Sequence, residues 1–247
     1  MDEATMQMGL LMEAAQAQQK VADASLRRPL TVRGSAIPGR LCLAFAACYA
    51  YSPRGTSTNC ARSRLLRARL KRGRTHWLHR YVSCVKDQMF QEGDFRGYFN
   101  RQTVLVPVPG SGSDCLDTSW TARLLAVEMC ASGMAGRLWT GLRRVTGVPR
   151  SADAWHWKRP SVLEHFESFG ICSTQIQAPD IVLIDDVVTK GRTLMAAAIR
   201  LRTVFPNAHI RAFAMLRTLG FAPSIDRLFD PCRGEILWDG SDVRRNP

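Results

Sequence analysis

From Asp180 to Leu216 the chain runs through a strand-like segment, a glycine turn, a helix-spaced segment and a second strand-like segment. The first, Asp180 to Ile184 (DIVLI), is almost continuously apolar, the pattern of a strand buried on both faces of a parallel sheet. After the turn, Leu194, Ala198, Leu201 and Phe205 recur at helical spacing until Pro206 stops the helix. His209 to Leu216 then reads as the next strand. This is a βαβ unit. It commits the chain to an α/β fold whose ligands sit beyond the carboxyl ends of parallel strands.

The turn itself is Asp185-Asp186-Val187-Val188-Thr189-Lys190-Gly191-Arg192-Thr193. Two adjacent carboxylates at the end of a buried strand repel each other, and ribose hydroxyls give such a pair a purpose because each donates to a carboxylate. Gly191 permits close backbone approach at the start of a helix, where free N–H groups and the helix dipole favour phosphate. Thr189 and Thr193 add hydroxyls. For the acid pair alone the plainer reading is a cap on the next helix. The whole string, with sugar acceptors and phosphate donors a few residues apart, argues for a ligand.

Upstream, Thr103 to Val108 (TVLVPV) reads as a short strand, and Pro109-Gly110-Ser111-Gly112-Ser113 as a turn. The spacing of Leu116, Trp120, Leu124 and Val127 predicts a helix that Ser113 or Asp114 caps and Gly133 ends. Leu41 to Tyr51 has strand character, Asn59 to Arg74 reads as a very basic helix, and His76 to Met89 as a second helix with core spacing. Residues 1–35 are set apart from a main domain at 36–247. Met1 to Ala24 is either a helical appendage or a poorly ordered tail, and Arg27 to Arg40 a linker.

With 46% hydrophobic and 22% charged residues the composition suits a folded domain, and a net charge of +13 attracts polyanions. The charge admits a nucleic-acid partner, and nothing in the sequence excludes an oligomer. No apolar run reaches the length of a membrane span, and the acidic start (Asp2, Glu3) does not look like a signal peptide. Eight cysteines with no Cys-x-x-Cys spacing fit a reducing, cytosolic setting.

Ile181 to Thr193 resembles the binding signature of the type I phosphoribosyltransferases. The resemblance implies that Asp185 and Asp186 hold the ribose 2′- and 3′-hydroxyls and that Thr189, Lys190, Gly191, Arg192 and Thr193 cradle the 5′-phosphate. A wider stretch, from about Leu41 to Thr218, is similar to the ComF-like (competence-type) branch. Pro107-Val108-Pro109 ends the first core strand, Leu70-Lys71-Arg72-Gly73 precedes it, and the arginine-bearing Arg143 to Phe169 lies between the two ligand loops. The chain departs from that branch in lacking a zinc ribbon, and in carrying Gly-Ser-Gly-Ser-Asp after Pro109 in place of a basic run.

The implied fold is a type I phosphoribosyltransferase-like α/β domain, with a mainly parallel sheet flanked by helices and an N-terminal helical extension. The implied activity is binding of phosphoribosyl diphosphate with Mg²⁺ and transfer of the phosphoribosyl group to a nucleobase or amine. The metal would be held mainly by ligand and water near Asp185 and Asp186. Pro109, Gly110, Ser111, Lys71, Arg144 and Arg159 are the candidates for the leaving diphosphate. Arg143 to Phe169 reads either as a lid or as a tryptophan-anchored hairpin, with His156 and His165 as loop and packing residues. The resemblance implies a hood formed by the region after Leu216, with Phe221 and Trp238 as stacking candidates. The alternative function is a non-catalytic ComF-like accessory or regulatory protein of DNA uptake or nucleic-acid handling.

Overall fold

A computed structural model describes residues 39–90, 95–111, 120–149, 159–172, 176–220 and 222–247. The N-terminal extension expected at 1–35 lies outside them, as do Ser113, Asp114, Leu116, His156 and Phe221. Among the described residues the elements run β1 (Leu41–Tyr51), α1 (Thr58–Lys71), α2 (Thr75–Phe90), β2 (Val104–Pro107), α3 (Thr121–Ala131), β3 (Arg137–Leu138), β4 (Leu142–Arg144), α4 (Val162–Ser168), β5 (Phe169–Ile171), β6 (Asp180–Val188), α5 (Arg192–Arg202), β7 (His209–Thr218), β8 (Phe229–Trp238) and β9 (Val243–Asn246).

Seven strands form one sheet in the order β3-β2-β6-β7-β1-β8-β9. The β3-β2, β2-β6, β6-β7 and β7-β1 pairs are parallel, and the two pairs involving β8 are antiparallel. The βαβ expectation holds: β6, α5 and β7 follow each other as the apolar periodicity requires. Alternate residues of β6 serve opposite faces. Ile181 and Leu183 pack with Leu194, Ala197 and Leu201 of α5, while Val182 and Ile184 pack with Leu70 of α1, Val82 of α2 and Leu125 of α3. The result is a three-layer α/β domain with a core on each side of the sheet.

Three expectations need correction. The helix after the first ligand loop begins at Thr121, not near Ser113, among the described residues. Trp120 stands at its N-cap with non-helical backbone, and its indole Nε1 donates to Val108 O at 2.7 Å. The strand carrying the acid pair does not end at Ile184: β6 runs on to Val188, and Asp185 still pairs with Ala214 of β7. Trp238 is 2% exposed within the core and so cannot stack on a ligand.

Arg143 to Phe169 is less irregular than its composition suggested. Its ends form the antiparallel pair β4-β5, and a capping box of Ser161 and Glu164 starts α4. Residues 150–158, the centre of the expected lid, lie outside the described residues.

Candidate functional site

The site is fixed by where helices leave the sheet. α3, which follows β2, packs on one face, while α5, which follows β6, packs on the other. Since β2 and β6 are neighbours, the chain departs in opposite directions at their carboxyl ends. That is a topological switch point, where open α/β sheets form a crevice. The loop at Pro109–Ser111 and the loop at Thr189–Thr193 flank it.

The first loop is anchored from below. Val108 N–H donates to Ile184 O at 2.9 Å, fastening the loop beside Asp185. Arg144 is buried, with its guanidinium over the Phe169 ring at 4.4 Å. It donates to Gly110 O (2.5 Å), Pro109 O (3.5 Å) and Ser168 Oγ (2.5 Å). Burial lowers its pKa to about 10, opposed by the charge of Asp185, so it stays cationic at neutral pH. Arg144 therefore reaches the expected loop but spends its donors on the protein. Gly110 is exposed with open space beside it, and Ser111 is half-buried.

In the second loop Asp185 is half-buried and accepts the Asp186 N–H at 2.8 Å. Burial first, and then the neighbouring Asp186 charge, push the Asp185 carboxyl well above the ordinary carboxylate range, with Lys71 opposing. Asp186 is 8% exposed, and its Oδ2 meets Lys71 Nζ from the end of α1 at 2.7 Å. That contact is an ion pair that lacks hydrogen-bond geometry, so Oδ2 is buried without a hydrogen bond. Solvent reaches Asp185 directly, whereas Asp186 is buried with Lys71 against its Oδ2.

Gly191 caps α5 at φ +91°, a conformation that side chains avoid, and its backbone lies against Ile236 of β8. Thr189 is exposed, its Oγ1 3.3 Å from Thr218 Oγ1. The side chains of Lys190 and Arg192 turn away from the crevice to Asp242, in the β8–β9 turn. Arg192 binds both carboxylate oxygens, at 2.7 and 2.6 Å, and Lys190 lies at 3.4 Å. Arg192 also donates to the carbonyls of Arg159 and Pro160 at 3.4 and 3.5 Å; the Arg159 residue itself is exposed. The anion-binding capacity of the loop thus rests on its main-chain N–H groups and on the hydroxyls of Thr189 and Thr193.

Two supporting residues escaped the sequence reading, and a third, His165, read as a packing residue, is one and also reaches the loop. Asp242 holds the loop's cations, and Arg245 of β9 donates to Val188 O (3.1 Å) and Thr218 O (2.6 Å) at the ends of β6 and β7. His165 of α4 places Nε2 3.3 Å from Thr193 Oγ1. The string Asp239-Gly240-Ser241-Asp242 carries a turn signal, and Asp239 Oδ1 accepts the N–H groups of Ser241 and Asp242. That signal marks Asp242 as a hairpin residue without saying what it faces.

Replacing Asp242 with Ala is expected to destabilise the fold by under about 1 kcal/mol, since the pair is partly solvent-screened. The Arg192 hydrogen bonds hold the Asp242 carboxyl well below its usual range. A depressed folded-state pKa contributes stability above the ordinary carboxylate pKa that is lost as pH falls through the folded value. The difference in melting temperature between wild type and variant should therefore shrink on acidification below about pH 4.

No protein-family model and no curated protein matches the chain. Its functional reading rests on the site alone. Among the described residues no group of three or more His, Cys, Asp or Glu is placed to cage a metal ion, and no helix is long and apolar enough to cross a membrane.

Proposed function

We propose that this protein is a phosphoribosyltransferase-type enzyme that binds phosphoribosyl diphosphate at the switch point between β2 and β6. The observation that carries the reading is the placement of an acid pair and a glycine-capped helix start on one side of that point, with a second open loop on the other. Asp185 accepts from ribose hydroxyls, joined by Asp186 once Lys71 swings toward the incoming anion. The Thr189–Thr193 loop takes the 5′-phosphate through N–H groups and hydroxyls. The exposed Gly110 and half-buried Ser111 suit the diphosphate, and Lys71 supplies a mobile cation beside it.

Asp186 Oδ2, paired with Lys71 but without a hydrogen bond, and the adjacent Asp185 fit a hard divalent cation held chiefly by ligand oxygens and water. Mg²⁺ there would neutralise the departing diphosphate. In the transfer itself the bond from the anomeric carbon to diphosphate oxygen breaks, a nitrogen–carbon bond forms, and the acceptor nitrogen loses its proton. The protein's task is to position the groups and stabilise separated charge. A screen of nucleobases and amines with Mg²⁺ and phosphoribosyl diphosphate should give acceptor-dependent diphosphate release. Binding without release for any acceptor would leave a ligand sensor.

A second reading, nucleic-acid handling, has its own support. No acidic residue occurs from Ala24 to Lys86, and Arg62, Arg72, Arg74 and Arg80 are exposed on or beside α1 and α2. It requires affinity for single or double strands that falls steeply with salt through counterion release.

A further inference from the structure

The imidazole of His165 is 4% exposed and stacks on Phe169, with centroids 6.5 Å apart and planes 19° apart. Its backbone is held as well: Ser168 Oγ donates to His165 O at 2.6 Å, and Arg144 donates to the same hydroxyl. The two ring nitrogens have unlike surroundings. Nε2 faces Thr193 Oγ1 at 3.3 Å, and Nδ1 is buried with no hydrogen-bond partner. Burial first, and then the charge of Arg144, lower the pKa to about 4, so the ring carries one proton at neutral pH.

The position of that proton follows from the cost of each choice. On Nδ1 it would be a buried donor with nothing to accept it, which loses its full hydration. On Nε2 it has an acceptor, and only a lone pair at Nδ1 goes unpartnered. The choice decides what Thr193 can do. If Nε2 accepted, the Thr193 hydroxyl would spend its proton on the ring and turn lone pairs toward an incoming anion. If Nε2–H donates, the hydroxyl oxygen is satisfied as an acceptor and its proton is free for the ligand.

We propose that His165 is a positioning residue that donates Nε2–H to Thr193 Oγ1 and thereby commits the Thr193 hydroxyl to donate to a phosphate oxygen in the loop. This inference deepens the phosphate-loop reading and rests on it. It assigns a role to a side chain 28 positions from the loop in sequence.

Two measurements test it. The ¹⁵N spectrum of the wild-type imidazole should show the proton on Nε2 near neutral pH. Calorimetric titration with ribose 5-phosphate should show His165→Phe, which keeps the aromatic packing but removes the donor, weakened roughly tenfold. His165→Gln, which returns an N–H at similar reach, should stay within roughly threefold of wild type. In a Thr193→Val background His165→Phe should have no further effect. Wild-type affinity in His165→Phe, or an equal loss in the Thr193→Val background, would overturn the proposal. So would a proton on Nδ1 in a wild type that binds, and the spectrum decides the matter even if His165→Phe does not fold. A wild type that does not bind ribose 5-phosphate overturns the phosphate-loop reading, and this inference with it.

Discussion

Replacing Asp185 and Asp186 together with Asn is expected to abolish binding of phosphoribosyl diphosphate while leaving the melting temperature unchanged or higher. The two carboxylates are neighbours in the carboxyl-terminal half of a central strand, and burial with mutual repulsion holds Asp185 well above the ordinary carboxylate range. A pair that destabilises the fold is retained where a ligand requires it, and relieving it exchanges activity for stability. Asn keeps the size of the side chain and, at position 185, an oxygen to accept the Asp186 N–H. Lys71 loses its partner but is exposed enough to be hydrated.

The pH dependence tests the strain in the acid pair. With its folded-state pKa raised, Asp185 binds more protons in the folded than in the unfolded chain over the window between the two values. Its contribution to stability is therefore largest at low pH and declines as pH rises through that window, which opens at about pH 4. Thermal melts of the wild type should show this decline, and those of the double Asn variant should not. Retained binding heat in the variant would remove the acid pair from the site.

The second large effect is expected at Gly191. A side chain there must adopt φ +91°, and its Cβ would lie 2.5 Å from Ile236 Cδ1 and 2.9 Å from Cγ1. Forcing an L-residue into this region costs on the order of 1–3 kcal/mol before any clash is counted. Gly191→Ala should therefore lower stability by at least that amount. It should also weaken ribose 5-phosphate binding by more than about tenfold, because the first N–H groups of α5 tilt away from the anion. Adding Ile236→Val removes the nearest methyl group. It should recover only some of the loss due to the clash, since the two Cγ atoms stay at 2.9 and 3.0 Å, and leave the part due to φ. Full recovery in the double variant would show that the left-handed turn is not required.

The sequence exposes this fold unevenly, for physical reasons. β6, α5 and β7 are legible because buried strands and amphipathic helices impose apolar periodicities that no loop imitates. The extent of β6 is not, since its ladder to β7 is made by main-chain groups and continues through Asp185 and Asp186 whatever their polarity. β8 is hidden for a related reason. Pro231 and Gly234 argue against a strand, yet Pro231 falls within the register shift opposite Ala47 to Tyr49, where no regular ladder hydrogen bond is demanded of it. Trp238, expected as a stacking candidate in a hood, belongs to that unseen strand and is core.

In the candidate site, the loop residues could be named from their own string, because sugar and phosphate contacts come from neighbours in sequence. Their supports could not. Lys71 meets Asp186 across 115 positions, Asp242 meets Arg192 across 50, and Arg144 meets Gly110 across 34. Such pairings are products of packing. Lys190, Arg192 and Arg144 illustrate the consequence: the family resemblance implies them at the ligand, and which protein groups they also meet follows from packing alone.

The most direct test of the central claim is the backbone amide spectrum of ¹⁵N-labelled protein during titration with ribose 5-phosphate. Saturable shifts should be largest at Lys190, Gly191, Arg192 and Thr193, with smaller changes at Asp185 and Asp186. Unmoved amides in that loop, or shifts confined to the exposed arginines around α1, would contradict the account.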